Sequence, residues 1–455
     1  MDILQVKQSV QQEQDQLKTI LADVIAKGQK KVDAIEVAIN KSTGINVSTL
    51  RGETENVEFN SDGALGITVY QNNQKGSVST NDLSPLAIEQ ALDMAINIMK
   101  YTSPDPCSGL ADKDQMAFEC ADLDLFHPSA LDVDFALKLA SEAEKSALAH
   151  PNVKESDGGH FNSGYGVVVY GNSHGMLQSF CESSHSLSCS VIAEQNGQME
   201  RDYAYTSSRI MEQLLTPKWV GEEAAKRTVA MLGAKNIKTM QVPVMFAPEV
   251  AISLFKHLVS AISGGAIYKK QSFLLDKLGE KIFPDWLTIK EYPHILQGVG
   301  SIPFDREGVK TVNKTIIDKG VLDTYLLSSY SARQLSTPSQ VYKSTGNAGG
   351  IYNWRLEAVK PLLSFDEMVK TLDKGIIVTS LMGQGVNPVT GDYSRGAKGF
   401  WVEHGQIQYP ITEFTVAGNL NDIYQQIVAI GSDTETRTNI QSGSLLIEKM
   451  SVAGR

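Results

Sequence analysis

"GITVYQNNQKGSVS", residues 66–79, and "GVVVYGNSHGMLQS", residues 166–179, decide the fold of this 455-residue chain. In each, apolar residues alternate over a few positions and then give way to Asn, Gly and His, the pattern of a half-buried strand entering a tight turn. Gly66, Val69, Tyr70 and Asn72 match Gly166, Val169, Tyr170 and Asn172. Working outward, Ile35, Val37 and Ile39, then Val57 and Phe59, then Ile67 and Val69 alternate with polar neighbours, and "NKSTG", "NSDGALG" and "QNNQKG" supply turn residues between them. This predicts an antiparallel meander. Helices bracket it. Ile3, Val6, Val10, Leu17, Ile20, Leu21 and Val24 form one amphipathic stripe ending near Gly28, and Ser84-Pro85 starts a second helix that runs to about Tyr101. The order then recurs, with a helix from about Ser129 to His150, the second hairpin, and a helix from Thr216-Pro217 that stops before Gly233. Duplication of a helix-plus-meander unit, 1–105 and 127–235, fits these matches, and so does coincidence between two hairpins of one turn chemistry.

Past Asn236 the texture changes to longer β segments punctuated by glycine: "VPVMF", "KTIIDKGVLDTYLL", "KGIIVTSL" and "GFWVEHGQIQYPITEFTVAG". The turns "DKG" and "EHGQ" suit hairpins. The fold class is therefore α+β, with an N-terminal α+β domain over 1–235 and a β-rich C-terminal domain, barrel-like or sandwich, over 236–455.

The composition narrows the function classes. With 41 Lys+Arg against 52 Asp+Glu, the formal charge of -11 opposes a phosphate-binding surface, so nucleic acid is not an expected partner. The start "MDILQVKQSVQQEQDQL" lacks the basic and then apolar order of a signal peptide, and no run approaches a membrane span, so a cytoplasmic location and no membrane contact are expected. Cys107, Cys120, Cys181 and Cys189 include no CxxC pair and read as reduced thiols.

Spacing decides among the candidate metal ligands. "VPVMFAPEVAISLFKHLVSAISGGAIYKKQSF", residues 242–273, runs from a strand into a helix with Ile252, Phe255, Leu258, Val259 and Ile262 on one stripe and His257 beside it. A zinc helix needs a second ligand on the same face and a Glu as base. Four residues either side of His257 stand Ser253 and Ala261, five either side stand Ile252 and Ile262, and the dipeptide His-Glu occurs nowhere. Cys181, His185 and Cys189 are spaced by four, but "SFCESSHSLSCSVIA" lacks helical periodicity, and four strand residues span ~13 Å, too far for one ion. His160, His174 and His294 fall in turn-like contexts, and Glu403 and His404 in a hairpin turn. No GxSxG elbow or Walker loop is present, and "GGHFNSGYG" and "GQGVNPVTG" read as turns and bulges. From residues alone the catalytic and metal assignments are both none.

Several segments between 247 and 420 nevertheless resemble the TldD/TldE (PmbA) family, on its TldE/PmbA side: "FAPEVAISLFKHLVSAISGGAIYKKQSFLLDKLGEKIF", "GSIPFDREG", "GVLDTYLLSSYSARQL", "STGNAGG" and "GQGVNPVTGDYSRGAKGFWVEHGQIQYPITEFTVAGNL". The resemblance implies a subunit of a cytosolic zinc metallopeptidase, a TldD/TldE heterodimer acting on unfolded peptides such as peptide-antibiotic leaders or a labile antitoxin. It places HExxxH, a later cysteine and the zinc in the TldD-like partner, and it implies a homodimer when this chain is alone. The helix here, "APEVAISLFKHLVSAISG", lacks the pair, so the expectation is a non-zinc subunit with no cofactor of its own. Ser344, Thr345, Gly346 and Asn347, and Gly383, Gly385 and Asn387, are the expected peptide-binding residues, because small residues permit close backbone approach; tight turns are their alternative. Two other functions stay open: a stand-alone hydrolase with an unusual site built around His257, and a protein-binding regulator without peptidase activity.

Overall fold

The N-terminal half hangs on one six-stranded antiparallel sheet that a computed structural model, describing residues 3–454, shows curved into a half-barrel. Helix α1 (Ile3–Gly28) leads into β1 (Ala34–Leu50), β2 (Glu53–Gln71) and β3 (Gln74–Thr80), and α2 (Pro85–Tyr101) follows. Then α3 (Val133–Leu148), β4 (Val153–Asn172), β5 (Leu177–Gln195), β6 (Gln198–Ser208) and α4 (Pro217–Ala230) run in the same order. The strands lie as β3-β2-β1-β4-β5-β6, so the two meanders join back to back through β1 and β4.

The strands are longer than the sequence suggests. "NKSTG" and "NSDGALG", expected as turns, lie inside β1 and β2, and "GGHFNSGYG", with His160, lies inside β4. The reason is pairing: Lys41 faces Gly63, Gly44 faces both Asn60 and Gly164, and Ser42 faces Gly166, so each polar or glycine residue is held by another one across the ladder. Alternation puts the odd-numbered residues of β1 on one face. There Ile35, Val37 and Ile39 pack under α1 and α2, while Ile45 and Val47 join the core of α3 and α4. Full burial of each such side chain contributes about 1.5–3 kcal/mol. The helix α3 presents Ala136, Ala140, Ala143 and Ala147 to this core, and it comes so close that a Cβ on Gly159 would sit 2.1 Å from the Ala140 carbonyl oxygen.

The C-terminal half contains a closed barrel. Its strands are β7 (Met240–Phe246), Gly375–Met382, Asp392–Glu403, Gln406–Asn419 and Leu445–Ala453, and pairing of the last two closes the ring. Helix α5 (Pro248–Ala261) leaves β7 through Ala247, with Pro248 at its first position, where a missing N–H costs nothing. Ile252, Phe255 and Leu258 are buried as the stripe predicts, and Phe255 stacks on Phe283, with ring centres 6.4 Å apart. A smaller five-stranded sheet, carrying Leu287–Glu291 and Trp354–Ala358, covers part of this core.

Candidate functional site

One half-buried face of α5 repeats every four residues as Glu249, Ser253 and His257. Glu249 and Ser253 line a cavity of about 1180 Å³ between the two halves of the molecule. From the N-terminal half it takes Tyr203, Arg209, Trp219 and Arg227, and from the barrel half Leu381, Arg395, Phe400 and Arg437. Aromatic walls with a few fixed polar groups are the usual make-up of a binding pocket.

Glu249 clamps the halves together. Both its oxygens accept from Arg227, at 2.9 and 3.0 Å, and Arg437 donates to it at 2.6 Å. Arg227 also holds Glu223 at 2.9 Å, and Arg437 pairs with Glu435 and lies over the Tyr205 ring at 4.1 Å. Burial pushes the Glu249 carboxyl up, but Arg227 and then Arg437 outweigh it and hold it below the ordinary carboxylate range. The outer edge of β6 is engaged by the barrel half as well. Lys398 donates to the Arg201 carbonyl at 2.9 Å and Arg437 to the Tyr205 carbonyl at 2.5 Å.

A second, shallower hollow of about 400 Å³ lies on the sheet face away from the helices, floored by Ser42, Gly44, Asn162, Gly164 and Gly166. It meets the larger cavity at Ser207, Ser208, Arg209 and Val299. Arg209 is buried at the junction, where it pairs with Glu182 at 3.1 Å and donates to the carbonyls of Gly298 and Val299 at 2.9 and 3.0 Å.

The donors around His257 do not fit a zinc site. Ser253, one turn earlier, donates to the Val250 carbonyl, Glu249 is taken by two arginines, and the ring nearest His257 is Tyr393, edge-on at 6.1 Å. Among the described residues no three His, Cys, Asp or Glu side chains group as metal ligands. Cys181, His185 and Cys189 lie along β5, and His185 is a core residue whose ring nitrogens meet Ser163 Oγ at 2.8 Å and the His127 carbonyl at 2.9 Å.

Of the expected peptide-binding residues, neither group lines the larger cavity. The Ser344 and Thr345 hydroxyls donate to the Leu327 carbonyl at 3.1 and 3.2 Å, and Asn347 donates to buried Glu291 at 3.0 Å while accepting from Lys314 at 2.8 Å. Gly346, at φ +72°, closes that loop. Gly383, Gly385 and Asn387 form an exposed loop folded back on the strand Asp392–Glu403, where Ser394 N donates to the Gly385 carbonyl at 2.7 Å and Asn387 N to the Asp392 carbonyl at 2.8 Å. Sequence reasoning missed Arg209, Arg227, Arg395 and Arg437, which come from four separate segments, two of them loops; the regular register of Tyr393 and Arg395 along one strand face is the signal closest to a clue.

Comparison with known proteins gives this geometry a family. The PmbA/TldA metallopeptidase C-terminal domain matches residues 239–454, the central domain residues 126–232 and domain 1 residues 35–98. The chain belongs to the PmbA/TldD metallopeptidase family. Metalloprotease PmbA of Escherichia coli O157:H7 is 57% identical over 426 residues, 93% of each chain. A crystal structure of a suggested modulator of DNA gyrase from Bacteroides thetaiotaomicron superposes with a TM-score of 0.89 at 27% identity, covering 97% of this chain and 99% of that one. TldE from Thermococcus kodakarensis shares the fold, with a TM-score of 0.82 at 21% identity over 96% of this chain and all (100%) of its own. The fold is thus shared with both of these structures over nearly their whole length, and no described helix of this chain is long and apolar enough to cross a membrane.

Proposed function

We propose that this chain is the non-zinc subunit of a two-chain TldD/TldE-type metallopeptidase and handles unfolded peptides for a zinc-bearing, TldD-like partner. The observation that carries the reading is α5 itself, where His257 has Ser253 four residues before it and Ile252 five before it, so the helix supplies no pair of zinc ligands. Zinc held by such a partner would activate water for attack on a peptide carbonyl. This chain's contribution is the walls: an aromatic and arginine-lined cavity that meets a trough of Ser, Asn and Gly, which would take an extended backbone with free strand hydrogen bonds and not a folded domain. Peptide-antibiotic leaders and labile antitoxins are substrates of that kind. Within this proposal the exposed Gly383–Asn387 loop is the better placed of the two glycine-rich peptide contacts, since the side chains of Ser344, Thr345 and Asn347 are already bonded inside the protein.

The test assays an unstructured peptide with this chain alone, with a TldD-like chain alone and with both, adding a chelator to the active sample. Cleavage is expected only where both chains are present, and it stops with chelator. Cleavage by this chain alone, insensitive to chelator, would sink the reading in favour of a stand-alone hydrolase, and a well-formed but inactive pair would favour a regulator. Alone, the chain is expected to run as a homodimer in light scattering at micromolar concentration.

A further inference from the structure

Three polar atoms lie together beside the larger cavity, which Arg395 alone of their residues lines. His257 Nε2, Tyr393 Oη and Arg395 Nε are all buried and have no hydrogen-bond partner. The Tyr393 side chain is 1% exposed and its ring meets His257 edge-on. Tyr393 and Arg395 stand two apart on one strand and share a face, while His257 comes from α5 opposite. A buried polar group without a partner is destabilising, so three together are unusual unless something else bonds them.

Charge points the same way. Around the cavity Arg209 is paired with Glu182, Arg227 with Glu223 and Glu249, Arg437 with Glu249 and Glu435, and Lys226 with Glu223. Among the described residues lining it, Arg395 is the one cation with no acidic partner within salt-bridge distance. Burial and then the Arg395 charge lower the basicity of His257, so its ring is neutral at pH 7 and has one N–H to give. Burial pushes the Tyr393 phenol up to about 12, with Arg395 pulling against it, so its proton stays on as a donor. A guanidinium, a phenol and a neutral imidazole make a set of donors with one positive charge, which is the complement of one carboxylate.

We propose that Arg395, with Tyr393 and His257 behind it, is a carboxylate-binding site at the end of the cavity, taking the C-terminal carboxylate of a peptide or an Asp or Glu side chain within one. The site belongs to this chain alone and does not depend on where peptide bonds are cut. It would fix one end or one side chain of an extended peptide by charge, leaving the rest of its sequence unread.

The experiment is a ligand-observed NMR titration of the full chain with N-acetyl-trialanine as the free acid, with the same peptide as its amide, and with N-acetyl-Ala-Asp-Ala-amide. The free acid, the Asp peptide or both are expected to bind at least about tenfold more tightly than the amide, as one charge-assisted contact provides. Which of the two does so identifies the source of the carboxylate. Arg395→Gln should erase the preference, and Tyr393→Phe, a milder change that keeps the ring packing, should reduce it. If Arg395→Gln does not fold, Tyr393→Phe decides alone. Equal binding of all three peptides, a preference unchanged in both variants, or no binding of any of the three peptides overturns the site. Because no turnover is measured, this result and the cleavage assay fail independently.

Discussion

Glu291 and Arg395 are both charged side chains set beside aromatic rings in the C-terminal half, and the fold treats them in opposite ways. Glu291, 0% exposed, accepts from Asn347 Nδ2, Tyr352 N, Trp354 Nε1 and Lys314 Nζ, all at 2.9–3.0 Å at their closest. Arg395 has no such circle, and its neighbour Tyr393 has none either. A buried charge that the protein satisfies completely is holding the protein together. One left open where a cavity reaches it is free to meet something from outside.

That contrast can be broken most sharply at Glu291. Replacing it with Ala leaves Lys314 nearly buried without a counter-charge and frees the Trp354 and Tyr352 donors, so a loss of about 3–5 kcal/mol is expected in denaturant unfolding. A loss below about 1 kcal/mol would show that the knot is no structural centre. Glu249→Ala is the next largest. It removes the shared acceptor of Arg227 and Arg437 and should cost about 1.5–3 kcal/mol, less than Glu291 because the pairs keep some contact with water. A double-mutant cycle with Arg227 should return a coupling of the same sign, and additivity of the two changes would show that the clamp carries no energy. Tyr393→Phe should not destabilise the fold and should gain up to about 1 kcal/mol, since it deletes a buried hydroxyl that makes no well-formed hydrogen bond in the protein. A loss above about 2 kcal/mol would mean that the hydroxyl is satisfied inside the fold, contrary to its place in the contrast.

The smallest effect is on pH. The folded pKa of His257 lies below its ordinary 6.5, so the unfolded chain binds more protons there, and stability is fully present above pH 6.5 and lost as pH falls toward the lowered value. Asp305, raised to about 7 by burial and by Glu307, acts in the opposite sense, adding stability as pH falls from about 7 toward its ordinary 3.8. The His257 contribution is therefore read as the difference between wild type and His257→Phe, which should flatten below pH 6.5. An identical pH profile for the two would place His257 in an ordinary aqueous setting.

The elements were legible where one segment carries its own evidence. The α5 stripe, the Ser84-Pro85 and Thr216-Pro217 helix starts and the hairpin at Glu403–Gln406 are local patterns, and each lies where its residues indicate. "NKSTG" reads as a turn because its partners, around residues 60–66 and 164–168, are out of view in a local window. The site is harder still. Arg227 meets Glu249 across 22 residues and Arg437 meets it across 188, so no spacing rule connects them. What the sequence does carry is the negative statement about α5, that Ser253 and His257 make no ligand pair, because both residues sit on one helix face.

The capping of β6 by Lys398 and Arg437 has a consequence for anyone dividing this protein. An N-terminal half made without its barrel would expose the outer backbone of an 11-residue edge strand, together with the stacked rings of Tyr203 and Tyr205. Such an edge is a template for other chains, and the fragment should aggregate at concentrations where the whole chain stays dispersed.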